Sequence, residues 1–149
     1  MTIIRRMDSQ GLVTTEITGH ISVTEILNAV LELGELTAYA SQLWELVILD
    51  PEIKIDRNIQ TTMEIAHNAK EIIQFKSRGA MAIVAVDDHI REWSEHVASL
   101  LRGDRVPVTV FPDEEQARTW LAIHIERSRE KQNPGHNKMV ANSGGCRSG

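Results

Sequence analysis

Two short apolar runs, Leu43–Asp50 (LWELVILD) and Ala80–Asp87 (AMAIVAVD), each close on an aspartate, and a helical pattern follows each of them. This repeated phrase limits the chain to few folds. A half-exposed strand alternates apolar and polar residues, whereas these runs, rich in Val and Ile, leave almost no polar face. They read as strands covered on both sides, the condition of a parallel sheet packed between helices. Ligands and partners usually meet such sheets at the carboxyl ends of the strands, so Asp50 and Asp87 mark the expected working edge.

The remaining elements fall into place around these strands. Thr2–Met7 and Leu12–Thr18, joined by Asp8-Ser9-Gln10-Gly11, read as a β-hairpin. Ser22-x-x-Glu25, Thr61-x-x-Glu64 and Asp113-x-x-Gln116 fit capping boxes ahead of apolar periodicity, and so announce three helix starts. The first helix offers Ile26, Leu27, Val30, Leu31 and Leu33 for burial, and the second Ile65, Ala66, Ala69, Ile72 and Ile73. A helix over about Asp88–Arg102 buries the stripe Ile90, Trp93, Val97, Leu100 and Leu101. A final helix, about Glu114–Arg127, buries Ala117, Trp120 and Leu121. Before it, Val106–Phe111 is a short strand whose Pro107 suits a strand start or a sheet edge. The order β-β-α-β-α-β-α-β-α predicts an α/β fold. Its sheet is mixed and mostly parallel, with four or five strands, an N-terminal β-hairpin and about four helices, joined by right-handed crossovers.

With 149 residues, 42% of them hydrophobic, the chain supports one core and one domain, assigned to residues 1–130. Residues 131–149 carry no apolar stripe that could offset the cost of ordering them and read as a disordered tail. The net charge of −5 argues against nucleic acid, which calls for a basic stripe. No apolar run approaches the roughly 20 residues of a membrane-spanning helix, and no apolar segment backs the charges of Met1–Arg6 as a signal peptide would require. Cys146 is the only cysteine, which excludes an intrachain disulfide and a cysteine zinc site. Together these features point to a cytoplasmic protein with no cofactor.

The residues that could carry chemistry have simpler structural roles. Asp50 and Asp87 could act as a general acid and base if burial drove their protonation apart. As Asp50-Pro51 and Asp87-Asp88 they equally begin a turn and cap a helix, and that is the preferred reading. His89, Glu92 and His96 share one helix face, a poor three-ligand geometry, and read as solvated surface rather than a metal site. His124 continues the Trp120/Leu121 face to the rim of the core, His67 belongs on a solvated face, and His20, just before a helix entry, faces either the strand ends or solvent. Trp93 reads as core, and Trp44, at the start of a central strand, as packed under a helix. The chain has no G-x-G-x-x-G, Walker A or G-x-S-x-G motif.

The run Val108-Thr-Val-Phe-Pro-Asp-Glu-Glu-Gln-Ala-Arg-Thr-Trp-Leu121 resembles the closing signature of SpoIIAA-like proteins of the STAS-domain superfamily. Leu46–Asp50 and Met81–Val86 resemble their central strands, and Gly19-His-Ile-Ser22 their strand-to-helix junction, so the likeness spans about Leu12 to Leu121. It implies a mixed sheet of four or five strands with a regulatory or binding role and no catalysis. In STAS anti-sigma-factor antagonists, a phosphorylated serine follows an aspartate at the helix start after the central strand. Here Asp56-Arg57-Asn58 stands at that place, with Thr61 and Thr62 a few residues on. Arginine for serine argues against such a phosphoswitch and brings a fixed positive charge suited to an anionic ligand.

The leading expectation is a non-catalytic regulatory or protein-interaction module working through the strand carboxyl edge, with Asp50, Asp56, Arg57, Thr61, Asp87 and His20 as candidate binding residues. The alternative is a carrier of a small anionic or amphiphilic, lipid-like ligand, held by Arg57 and the helix N-termini near Thr61 and Asp88. An enzyme using Asp50 and Asp87 with His20 or His89 comes last. A second copy of the chain is a further candidate partner, through an exposed sheet edge.

Overall fold

A computed structural model describes residues 2–9, 11–36, 42–55, 63–65, 67–68, 70–71, 79–102 and 107–132. The N-terminal hairpin forms where expected: β1 (Thr2–Met7) pairs antiparallel with β2 (Leu12–Thr18). Asp8 sets the turn, its Oδ1 accepting the Leu12 N–H at 3.0 Å and its carbonyl the Gly11 N–H at 3.2 Å. β3 (His20–Ile21) and α1 (Val23–Leu36) follow, then β4 (Trp44–Leu49) and β5 (Lys54–Ile55). Next come β6 (Ala80–Ala85), α2 (Asp88–Leu101), β7 (Val108–Phe111) and α3 (Glu114–Gln132).

The main sheet has five strands in the order β1-β2-β4-β6-β7. β2–β4, β4–β6 and β6–β7 are parallel pairs, so the fold is α/β with a mixed sheet. The two-residue strands β3 and β5, which carry no periodicity of their own, form a separate parallel ribbon.

Strand alternation sorts the core into two layers. Val13, Leu43, Leu49, Met81, Ile83, Ala85, Val108 and Val110 point to the face covered by α2, with Ile26 of α1 packed against the same cluster. Trp44, Leu46, Ala80, Ala82 and Val84 point to the other face, under Ala117 and Leu121 of α3. The nearly continuous apolar runs are thus explained by cover on both sides, and Trp44 does lie beneath a helix. Trp120 caps this second layer, its ring centroid 5.6 Å from Phe111 and 4.4 Å from the His124 imidazole. Partial burial and the nearby Arg127 hold His124 below the usual histidine range.

The helix starts also follow the expected chemistry. Ser22 Oγ accepts the Glu25 N–H at 3.3 Å, and Asp113 Oδ1 accepts the Gln116 N–H at 2.8 Å. Gln116 does not complete a reciprocal box; its side-chain amide donates to Asp113 Oδ2 instead, at 2.7 Å. The α2 stripe is as read, with Ile90, Val97 and Leu101 buried and Trp93 and Leu100 packed partly against the cluster.

Three expectations need correction. Leu31 is 58% exposed rather than buried; it lies five residues after Ile26, which turns it about 140° around the helix from that core residue. α3 runs beyond Arg127 to Gln132, because its last turn is solvated and so leaves no apolar trace in the sequence. The last strand begins at Val108 rather than at Val106, which lies outside the described residues. Residues 63–65, 67–68 and 70–71 are helical and Ile65 is buried, while Thr61, Ala66, Ala69, Ile72 and Ile73 lie outside the described residues. So do residues 133–149, which hold the rest of the expected tail and Cys146.

Candidate functional site

β4 and β6 are adjacent and parallel, with Leu49 opposite Ala85, so Asp50 and Asp87 both emerge at the carboxyl edge of the sheet. Each carboxylate is already committed to the backbone. Asp50 Oδ1 accepts the Glu52 N–H at 2.8 Å, and the Asp50 carbonyl accepts the Ile53 N–H at 3.0 Å, closing the turn that Asp50-Pro51 begins. Asp87 is the N-cap of α2, its Oδ2 accepting the Ile90 N–H at 3.0 Å. These are the turn and cap roles preferred from the sequence. Asp87→Ala should therefore lower stability by about 1 kcal/mol while Asp87→Asn, which keeps an acceptor, stays close to wild type. Urea unfolding of the two variants checks this, and equal losses would remove the cap reading.

His20 sits on a small extension of this edge. β2 leads through Gly19, whose φ of 85° favours glycine, into β3. The turn after β4 leads into β5, and the Lys54 N–H donates to the Gly19 carbonyl at 3.0 Å. His20 and Lys54 then stand side by side in parallel register, both exposed. Asp56, Arg57 and Thr61, the remaining sequence-predicted site residues, lie outside the described residues.

Two features of the edge escaped sequence reasoning. Arg91 reaches back over the end of β6: its Nη1 donates to the carbonyls of Ala85 at 3.3 Å and Val86 at 3.2 Å, and its guanidinium also pairs with Asp88. The Asp88-x-x-Arg91 spacing was the available signal. Val86, the first residue past β6, is 53% exposed between this clamp and Asp87.

The strand order also bears on what the edge can bind. Ligand crevices in open parallel sheets form where the strand order reverses, because neighbouring crossovers then leave in opposite directions. The parallel strands here run β2, β4, β6, β7 without reversal. Among the described residues, the main sheet therefore has no strand-order reversal of the kind that forms such a crevice.

Away from the edge, β4 carries a buried glutamate. Glu45 is 3% exposed, and its Oε2 accepts from the Thr15 hydroxyl at 2.8 Å, which in turn accepts from Arg5 Nε at 3.2 Å. Burial holds the Glu45 carboxyl above the usual glutamate range, against the Thr15 hydrogen bond and the Arg5 charge, which pull it down. The signal was the lone charge within LWELVIL. On α2, His89, Glu92 and His96 are all exposed, as solvated surface should be. Among the described residues, no three His, Cys, Asp or Glu side chains group as metal ligands would, and no helix is long and apolar enough to cross a membrane. A cleft of about 200 Å³ lies along α3, between Leu12 and the side chains of Leu121, Ala122 and Ile125, with Arg118, Glu126 and Arg129 at its rim.

No protein-family model matches this chain, and no curated protein sequence is significantly similar to it.

Proposed function

We propose that the chain is a non-catalytic interaction module of SpoIIAA-like, STAS type that engages a protein partner through the carboxyl edge of its sheet. One observation carries the reading: at that edge both aspartates are tied to backbone N–H groups, while Val86 beside them is left exposed. An acid–base pair needs carboxylates free to exchange protons with a substrate. A protein-docking surface needs an exposed apolar residue with polar groups around it. Val86, ringed by Asp87, Asp88 and Arg91, fits the second description. A sheet edge without a reversal crevice favours a broad partner over an enclosed small molecule. The resemblance of Val108–Leu121 and of the central strands to STAS proteins supports the same class.

The test is a set of three affinity baits in the source cell: wild type, Val86→Asp, and Ile123→Asp. Ile123 is also exposed, at 46%, but lies on α3. The wild type and Ile123→Asp should recover the same protein, with at least a tenfold loss for Val86→Asp. Equal recovery by all three would remove the edge from the interaction.

A further inference from the structure

We propose that two copies of this chain pair through β1, antiparallel and centred on Ile4, to make one continuous ten-stranded sheet. β1 ends the five-stranded sheet, and among the described strands only β2 pairs with it. An unpaired strand edge is a template for another strand unless something guards it. The opposite edge is guarded: β7 has four residues, and the Val108 carbonyl, which faces away from β6, already accepts from Arg102 Nε at 2.9 Å. β1 has six residues and no proline.

Its hydrogen-bonding phase shows which groups are on offer. The Asp8 N–H donates to the Leu12 carbonyl, which fixes the inward-bonded set as Arg6, Ile4 and Thr2 at alternate positions. Ile3, Arg5 and Met7 therefore direct their N–H and C=O groups away from β2. A new antiparallel partner must meet those residues.

Of the two arginines that could guard this edge, Arg5 is hydrogen-bonded within its own sheet, while Arg6 stays largely exposed. Arg5 donates to Thr15 on the face where Thr15 meets Glu45, and Arg6 lies 4.0 Å from the Glu16 carboxylate on the opposite face. The uncovered apolar side chains of this strand are Ile4, 43% exposed, and Met7, 44% exposed at its end.

Charge then selects the register. Pairing centred on Arg5 sets Arg5 against Arg5 of the second copy, and pairing centred on Arg6 sets Arg6 against itself. Like charges directly opposite one another are destabilising. Centring on Ile3 leaves a shorter overlap. Centring on Ile4 places Ile4 against Ile4, Ile3 against Arg5 and Thr2 against Arg6, with no arginine opposite another. Ile3 and Arg5 are both outward-bonding, so their hydrogen bonds form, and Ile4–Ile4 becomes the non-hydrogen-bonded pair in which side chains approach most closely.

Cross-linking reads this register directly. Cα atoms of a non-hydrogen-bonded pair lie about 4.5 Å apart, within disulfide reach. In a full-length Cys146→Ser background, Ile4→Cys should oxidise to a covalent dimer, while Arg5→Cys and Arg6→Cys should give far less. At high micromolar concentration the wild-type chain should sediment at twice its 16.7 kDa mass. Ile4→Lys should sediment as a folded monomer, with an unchanged circular-dichroism spectrum. A wild-type chain that stays monomeric, or cross-linking as strong at Arg6 as at Ile4, overturns the proposal.

Discussion

Gly79→Ala is expected to destabilise the fold by at least about 3 kcal/mol and to lower its thermal midpoint by roughly 6–12 °C. A Cβ built on Gly79 would stand 1.7 Å from the Leu43 carbonyl oxygen, 2.6 Å from its carbonyl carbon and 2.9 Å from its nitrogen. All three are backbone atoms, so no rotamer change can give way. That same oxygen accepts the Ala80 N–H at 3.0 Å and opens the β4–β6 ladder, in which Trp44 faces Ala80. Relieving the clash would part the two central strands at their amino ends, where Leu43 and Ala80 are buried. Trimming the Leu43 side chain should not rescue the variant. Thermal and urea unfolding test this, and a midpoint within two or so degrees of wild type would contradict the close approach.

The second large effect concerns Glu45. Burial disfavours its charged form, so its carboxyl titrates higher in the folded protein than in the unfolded chain. The sign follows. Relative to a residue that does not titrate, Glu45 contributes fully below the unfolded glutamate value of about 4.3. That contribution is lost as the pH rises through the higher folded value. Glu45→Gln keeps an oxygen for the Thr15 hydroxyl and carries no charge. It should be more stable than wild type at neutral pH by on the order of 1 kcal/mol, and the gain should fade in acid. Glu45→Ala should instead lose about 2–4 kcal/mol, because it opens a cavity and strips Thr15 of its acceptor. Urea unfolding of the three proteins across the acid-to-neutral range decides the matter. A Gln variant whose advantage grows toward low pH would reverse the assignment.

Much of the architecture was legible because hydropathy reports burial directly. The runs around Leu46 and Ile83 leave almost no polar face, and the structure covers both faces of each; Thr2–Met7 and Leu12–Thr18 fold as the hairpin their turn residues announce. Asp87 and Asp113 cap the helices they precede, because capping is a local matter settled within a few residues. Relations across the chain were not legible. Nothing in a one-dimensional pattern brings Thr15 to Glu45 or lays Arg91 over the end of β6. β3 and β5 are too short to carry a period, and each exists only through the other. Leu31 shows the converse error, an apolar residue counted as core although its helical angle turns it outward. At the working edge, the local roles of Asp50 and Asp87 could be read, but the exposure of Val86 required the fold.

The division of labour between the helices has a consequence for biosynthesis. Among the described elements, α3 alone packs against the layer of Trp44, Leu46, Ala80, Ala82 and Val84. Every strand of the sheet leaves the ribosome before α3 does, since the chain is made from its N-terminus. Among the described elements, nothing covers that face of the nascent sheet until α3 arrives. A chaperone that recognises extended apolar surface would find its substrate in that interval. Residues Ala117 and Leu121 end the exposure when they dock.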